Sequence, residues 1–200
     1  MEEERDTNFD DERMLEVVSR FESMLNKNSK FYFDVEEFEE IIDYYIDQDK
    51  YSSALEATDY AFNQHPTAIS IQIKKAQILT DKGKVNEAIK ILDKVERIES
   101  TNFDICFLRG SIFLIQRNPT EAIRLFDKSI GLIYENKEDY LVDIGRILDK
   151  YNYSEEASKY FVKAHKESPE EKNIVFELAF LFEKLNQNEK SIEYYNKYLD

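Results

Sequence analysis

Apolar residues recur along most of the chain with the three- and four-residue spacing of amphipathic helices. Phe38, Ile41 and Tyr45 share one face of such a pattern, and Leu141 and Ile144 begin a similar one that continues to Leu148. Only 4 Gly and 3 Pro interrupt the 200 residues, which is too few for many short strands joined by turns. The pattern therefore predicts an all-α chain.

Small residues mark a period along this helical pattern. Alanines stand 34, 34 and 35 residues apart, at Ala54, Ala88, Ala122 and Ala157. Another small residue lies twelve positions before three of them, at Ala76, Gly110 and Gly145. Small side chains at both places allow two helices to approach closely, so each period predicts a helix–turn–helix unit. Pro66 and Pro169 stand where the second helix of a unit should stop, because proline costs about 3 kcal/mol inside a helix.

The period resembles the tetratricopeptide repeat. The fourth helix–turn–helix unit has all the small residues and the closing proline typical of that family, at Gly145, Ala157, Ala164 and Pro169. The resemblance implies a right-handed α-α superhelix, or solenoid, of about five repeats. The predicted repeats span residues 35–68, 69–102, 103–137, 138–171 and 172–200, the last of them truncated. Before them we predict a disordered acidic segment over residues 1–9, then a capping helix and linker over residues 10–34.

Charge is concentrated at the beginning of the chain. The formal net charge is −15, and residues 1–50 contribute −11 of it. An acidic chain without a basic stripe is a poor match to a phosphate backbone, so no nucleic acid partner is expected. The N-terminus shows no secretory leader, and no apolar run reaches the roughly 18 residues of a membrane span. A cytoplasmic protein without a membrane partner is the simplest interpretation.

Candidate chemistry is sparse. His65 and His165 lie near helix ends, where the helix dipole favours a cation, and no Cys/His cluster offers a metal site. Cys106, the only cysteine, falls on an interior face and is expected to be a buried, inert thiol. The sequence therefore predicts no enzyme, no catalytic residue, no metal and no cofactor, and the resemblance implies a protein–protein interaction scaffold.

The resemblance also implies a concave groove lined by the first helix of each repeat. The predicted groove residues are acidic in the first repeat and largely apolar further along: Glu36, Glu39, Glu40, Asp43, Asp47, Lys74, Gln77, Phe107, Leu114, Asp143, Arg146, Phe176 and Phe180. We expect a peptide or helix of a protein partner with basic and apolar character. The alternative, that the acids form only a solvated face, stays open.

One subclass of the family can be tested by residue type. Chaperone-binding members hold a terminal carboxylate with Lys and Asn at repeat positions 5 and 9. Here these positions read Glu39, Ile73, Phe107, Val142 and Phe176, and Asp43, Gln77, Ser111, Arg146 and Phe180. The chain is therefore not expected to be a carboxylate-clamp chaperone binder.

An apolar stripe of Ile192, Tyr195 and Leu199 ends the pattern with no following helix to cover it. Two interpretations remain. The chain is the first part of a longer array, or the stripe is the interface of a homodimer, since exposed apolar patches usually mark a partner.

Overall fold

The computed structural model describes residues 3–27 and 29–199, with side chains from residue 13 onward. This part of the chain holds eleven helices and no strand, which confirms the all-α prediction. The helices are α1 (Glu3–Lys27), α2 (Val35–Asp47), α3 (Tyr51–Gln64), α4 (Ile69–Asp81), α5 (Val85–Glu96), α6 (Phe103–Ile115), α7 (Pro119–Ile130), α8 (Lys137–Lys150), α9 (Ser154–Glu167), α10 (Lys172–Lys184) and α11 (Asn188–Leu199).

The helices fall into two compact units, residues 1–100 with α1–α5 and residues 101–200 with α6–α11. In both units, successive helices pair within each predicted repeat: α2 with α3 and α4 with α5 in the first, and α6 with α7, α8 with α9 and α10 with α11 in the second. Each unit has a core of its own. Phe21, Phe33 and Phe38 are fully buried in the first, and Phe126 and Phe161 are at most 1% exposed in the second.

The first helix is longer than the sequence predicted. It begins at Glu3 rather than at Asp10, and the predicted disorder of residues 1–9 is not what the structure shows for residues 3–9. No Gly or Pro breaks this segment, and acidic residues in a first turn interact favourably with the positive end of the helix dipole. Residues 1 and 2 lie outside the described part of the chain.

Further along, α1 packs on α2 and buries Val17, Val18, Phe21 and Met24.

The turn inside each repeat is closed by the same backbone motif. The fifteenth residue of every repeat has a positive φ: 55° at Asp49, 70° at Gly83, 59° at Arg117, 67° at Asn152 and 57° at Asn186. In the first repeat the next amide, that of Lys50, donates to the Tyr45 carbonyl at 2.8 Å. Equivalent bonds occur in the other four repeats. This is the Schellman arrangement, which ends a helix within one residue and sends the chain back along it.

Each helix pair fits together through one small and one large residue. A Cβ added to Gly110 would lie 2.5 Å from the Phe126 ring, and one added to Gly145 would lie 2.7 Å from the Phe161 ring. In the first repeat the same two positions hold Ile42 and Thr58, both fully buried. The large side chain has therefore moved to the first helix and the small one to the second.

Candidate partner-binding surfaces

The acidic surface of the first unit is carried by α2. Asp34 caps this helix by accepting a hydrogen bond from the Glu37 amide at 2.8 Å, and the Glu37 side chain accepts from the Asp34 amide at 2.9 Å. This capping box fixes where the helix begins and hence which residues face inward. Phe38, Ile41, Ile42 and Tyr45 point into the core, and the acids between them are left on the outer surface.

Two of the predicted groove acids are neutralised from within the chain. Lys74 Nζ lies 2.5 Å and 2.7 Å from the two carboxylate oxygens of Asp43. Arg13 of α1 lies 3.1 Å from Glu40. The structure thus brings Lys74 to the acidic surface predicted from the sequence, and it adds Arg13, which the repeat register could not place. Exposed pairs of this kind contribute little to stability, but they do reduce the charge that a partner would meet.

Three acids of α2 remain available. Glu36 and Asp47 are exposed and Glu39 is half-buried, and none of the three makes an ion pair with any residue whose side chain the structure describes. We call Glu36, Glu39 and Asp47 the α2 carboxylates. Gln77, predicted to lie beside them on α4, is half-buried.

The corresponding surface of the second unit is aromatic. Phe176 is 45% exposed and Phe180 is 53% exposed, one turn apart on α10. The Phe176 ring packs against Tyr198 with its centroid 5.4 Å away, which leaves Phe180 as the freer of the two. Arg146 Nε lies 2.9 Å from the Glu177 carboxylate, and Asp143 is 3.9 Å from the same arginine. The charges of this surface are therefore largely balanced.

One predicted groove residue is not on a surface. Leu114 is 1% exposed and belongs to the core of the second unit, so its prediction as a groove residue is wrong. The repeat position assigned to it faces inward on α6 because the core side of this helix is broad and includes Ile112 and Ser111 as well. Phe107 is half-buried and packs against Phe126, with the ring centroids 5.6 Å apart.

The stripe on α11 divides into exposed and packed residues. Ile192 is 61% exposed and Leu199 is 79% exposed. Tyr195 is half-buried, and its hydroxyl donates to Glu183 at 2.8 Å. Tyr195 thus contributes to holding α11 on α10, and the two aliphatic residues offer the available apolar area.

The histidine and cysteine considered as candidate chemical groups lie in environments that explain them by packing and hydrogen bonding. The His65 ring nitrogen is 2.8 Å from the Phe33 carbonyl oxygen, so it ties the linker before α2 to the end of α3. Cys106 is 4% exposed, as expected for a buried thiol. Among the described side chains, no three His, Cys, Asp or Glu residues converge as metal ligands. Within the same part of the chain, every helix is too short or too polar to cross a membrane.

Cross-repeat ion pairs are the feature that sequence reasoning missed. Asp43 pairs with Lys74, and Arg146 pairs with Glu177, in each case from position 9 of one repeat to position 6 of the next. The signal was present as opposite charges 31 residues apart in both units. It could be recognised only after the repeat register had placed those two positions side by side.

Comparison with known proteins supports the repeat assignment. A tetratricopeptide repeat model matches residues 69–102 and 173–200, which correspond to the second and fifth predicted repeats. A crystal structure of MamA is similar, with a TM-score of 0.53 and 19% identity over 84% of this chain and 95% of that one. PilF of Pseudomonas aeruginosa gives a TM-score of 0.59 and 15% identity over 82% and 74%.

MamA of Desulfovibrio magneticus RS-1, from residue 41 to its end, gives a TM-score of 0.54 and 15% identity over 82% and 92%. At these identities the likeness shows the fold alone. No curated protein sequence matches the chain. The two repeat matches and the similar structures confirm the resemblance predicted from the spacing of small residues.

Proposed function

We propose that this chain, in which the tetratricopeptide repeat model matches residues 69–102 and 173–200, is an adaptor that binds a basic, partly apolar segment of a protein partner. Proteins built from this repeat generally mediate protein–protein interactions and act as non-enzymatic scaffolds. The observation that carries the proposal is the set of α2 carboxylates, which make no ion pair among the described side chains. A folded surface that holds unpaired like charges close together attracts a partner of opposite charge.

The second unit, taken by itself, carries an apolar surface that a partner could cover. Phe180 is 53% exposed, so covering its remaining surface would contribute roughly half of the about 1.5–3 kcal/mol gained by fully burying such a side chain. Aromatic residues in such positions are frequent hot spots of protein interfaces. Each unit thus offers a partner one kind of contact, acidic in the first and apolar in the second.

Charge reversal on α2 tests the acidic part. The double variant Glu36→Lys with Glu39→Lys is expected to reduce partner capture from a cell lysate about tenfold at low ionic strength, because attraction becomes repulsion. Capture is quantified by mass spectrometry against the unmodified chain. Asp43 is left unchanged, since replacing it would also break its ion pair with Lys74.

The matched control is Glu56→Lys, an exposed glutamate on α3 outside the acidic surface. It reverses one carboxylate in the same unit, half the charge change of the double variant, and should leave capture intact. Equal capture by the double variant and by the control would remove the α2 carboxylates from the proposal.

Self-association through α11 is the second candidate, and it is favoured by the exposure of Ile192 and Leu199. Light scattering after size exclusion is expected to give a dimer that persists at high salt, because an apolar interface is insensitive to screening. The variant Ile192→Glu with Leu199→Glu should then be monomeric. A monomeric unmodified chain at high concentration would contradict this candidate. Tyr195 is a poorer choice for substitution, since its hydroxyl holds α11 to Glu183.

A further inference from the structure

A groove on the first unit lies between α3, α4 and α5 and involves none of the acidic residues of α2. Its volume is about 240 Å³, and its lining includes Thr58, Phe62, Ile71 and Ile91 together with Lys75 and Lys94. Apolar side chains and lysines are thus combined in one depression. This composition differs from that of the surface carried by α2.

The apolar part of the groove follows from the unusual first repeat. Thr58 stands at the repeat position that Phe126 and Phe161 occupy later in the chain, and its short side chain leaves space beside α4. The Thr58 hydroxyl donates a hydrogen bond to the Leu55 carbonyl oxygen at 2.7 Å, so it needs no polar ligand. Phe62, one turn further along α3, is 47% exposed and provides an aromatic wall.

The cations that α5 contributes at and beside the groove make no ion pair among the described side chains. Lys94 is exposed, as are Lys90 and Arg97 one turn before and after it, and none of the three makes an ion pair among the described side chains. Lys75 does make one, with Asp59 at 2.5 Å. A lysine in the last turn of α5 also favours that helix through its dipole, but this does not account for Lys90, which lies earlier in the helix, or for the apolar depression beside Lys94.

We propose that this groove binds a protein segment in which an apolar side chain is flanked by Asp or Glu residues. The apolar side chain would lie against Phe62 and Ile91, and the carboxylates would meet Lys94 and the neighbouring cations. A nucleic acid or a phospholipid headgroup would use the cations but would leave the apolar wall in water. Since the α2 carboxylates attract the opposite charge, the first unit carries two surfaces that select different partners.

Fluorescence anisotropy with the full chain tests this assignment. The probe is a short labelled peptide with Leu and Phe at helical spacing and Glu and Asp elsewhere. Saturable binding is expected, and Lys94→Glu should weaken it about tenfold at low ionic strength. Lys128→Glu is the matched control, because Lys128 has the same repeat position on α7, is exposed, and makes no ion pair among the described side chains. Its affinity should equal that of the unmodified chain.

Two reference peptides separate the groove from general charge attraction. One carries Lys in place of every acid and should not compete with the probe. The other is a polyglutamate of the same length without apolar residues, and it should bind about tenfold more weakly than the probe. The acidic-surface variant Glu36→Lys with Glu39→Lys should bind the probe at least as well as the unmodified chain, so this test is independent of the function proposed above.

Four results would overturn the assignment. They are no saturable binding of the probe, equal loss in the Lys94 and Lys128 variants, equal affinity for polyglutamate, and a dimer of the unmodified chain that Lys94→Glu dissociates. The third would indicate a general polyanion surface, and the fourth would indicate a second copy of this chain as the occupant.

Discussion

At the scale of single residues, the helix pairs are organised by the volume of two facing side chains. Gly145 and Gly110 are required because phenylalanine rings stand where their Cβ atoms would be. Glycine normally weakens a helix interior by about 1 kcal/mol relative to alanine. Its presence in α6 and α8 therefore reflects close packing, which outweighs local helix preference.

Substituting Gly145 tests which of these two effects is larger. Gly145→Ala improves helix propensity but places a Cβ 2.7 Å from the Phe161 ring, and overpacking typically costs about 1–3 kcal/mol. The free energy of unfolding, measured with urea, should therefore fall. Adding Phe161→Leu should recover part of the loss, although Phe161→Leu alone destabilises by opening a cavity.

Gly131→Ala serves as the reference for that experiment. Its added Cβ would lie 3.3 Å from the Lys128 carbonyl oxygen, so its effect should be smaller. A more stable Gly145→Ala chain would mean that the ring moves aside without cost.

At the scale of secondary-structure elements, α11 depends on contacts with α9 and α10. Tyr194 stacks on Phe182 of α10 at 5.5 Å between ring centroids, and it meets the His165 ring of α9 edge-on at 5.6 Å. Burial and the nearby Lys197 lower the pKa of His165 from its ordinary value of 6.5, and Glu170 opposes this only in part. This lowering of the His165 pKa favours the neutral imidazole beside α11.

This arrangement makes the second unit sensitive to mild acid. Because the pKa of His165 is lower in the folded state than in the unfolded state, the unfolded state binds the proton first as the pH falls below about 6.5. As the pH falls further, the stability that neutral His165 contributes is lost progressively, until the pH reaches the pKa of His165 in the folded state. In His165→Gln the difference in urea midpoint between about pH 7.5 and about pH 5.5 should be smaller than in the unmodified chain. An unchanged difference would show that carboxylates alone produce the pH dependence.

The helices and repeats were predictable from the sequence because the apolar and small residues that produce them recur at regular spacing. The spacing of small residues reflects close approach of paired helices, and it recurs in the repeats after the first. The candidate surfaces were less predictable. Leu114 was misplaced because a family position defines an average orientation, whereas the breadth of the buried face on α6 is particular to this chain. Arg13 was missed because no repeat register extends to α1.

At the scale of the whole molecule, the net charge is −15, so many acidic side chains have no cation to pair with. The exposed pairs contribute little, whereas repulsion among the many acids of the first fifty residues opposes folding. The chain is therefore expected to be stabilised when salt screens this repulsion.

Thermal unfolding followed by circular dichroism measures that effect. Raising sodium chloride from about 0.01 M to about 0.15 M shortens the screening length from about 30 Å to about 8 Å and should raise the melting temperature. The variant Glu36→Lys with Glu39→Lys removes part of the repulsion and should show a smaller rise. A melting temperature that falls with salt would mean that favourable ion pairs outweigh repulsion.

The exchange of volume between Ile42 and Thr58 constrains how the first repeat can change over evolutionary time. Replacing Ile42 by the usual small residue would leave a void beside a threonine. Introducing an aromatic residue in place of Thr58 first would force it against a β-branched neighbour. Either intermediate would be less stable than both end points, so the two arrangements are separated by a barrier that single substitutions do not easily cross. The first repeat therefore retains its own packing solution, and with it the depression between α3, α4 and α5.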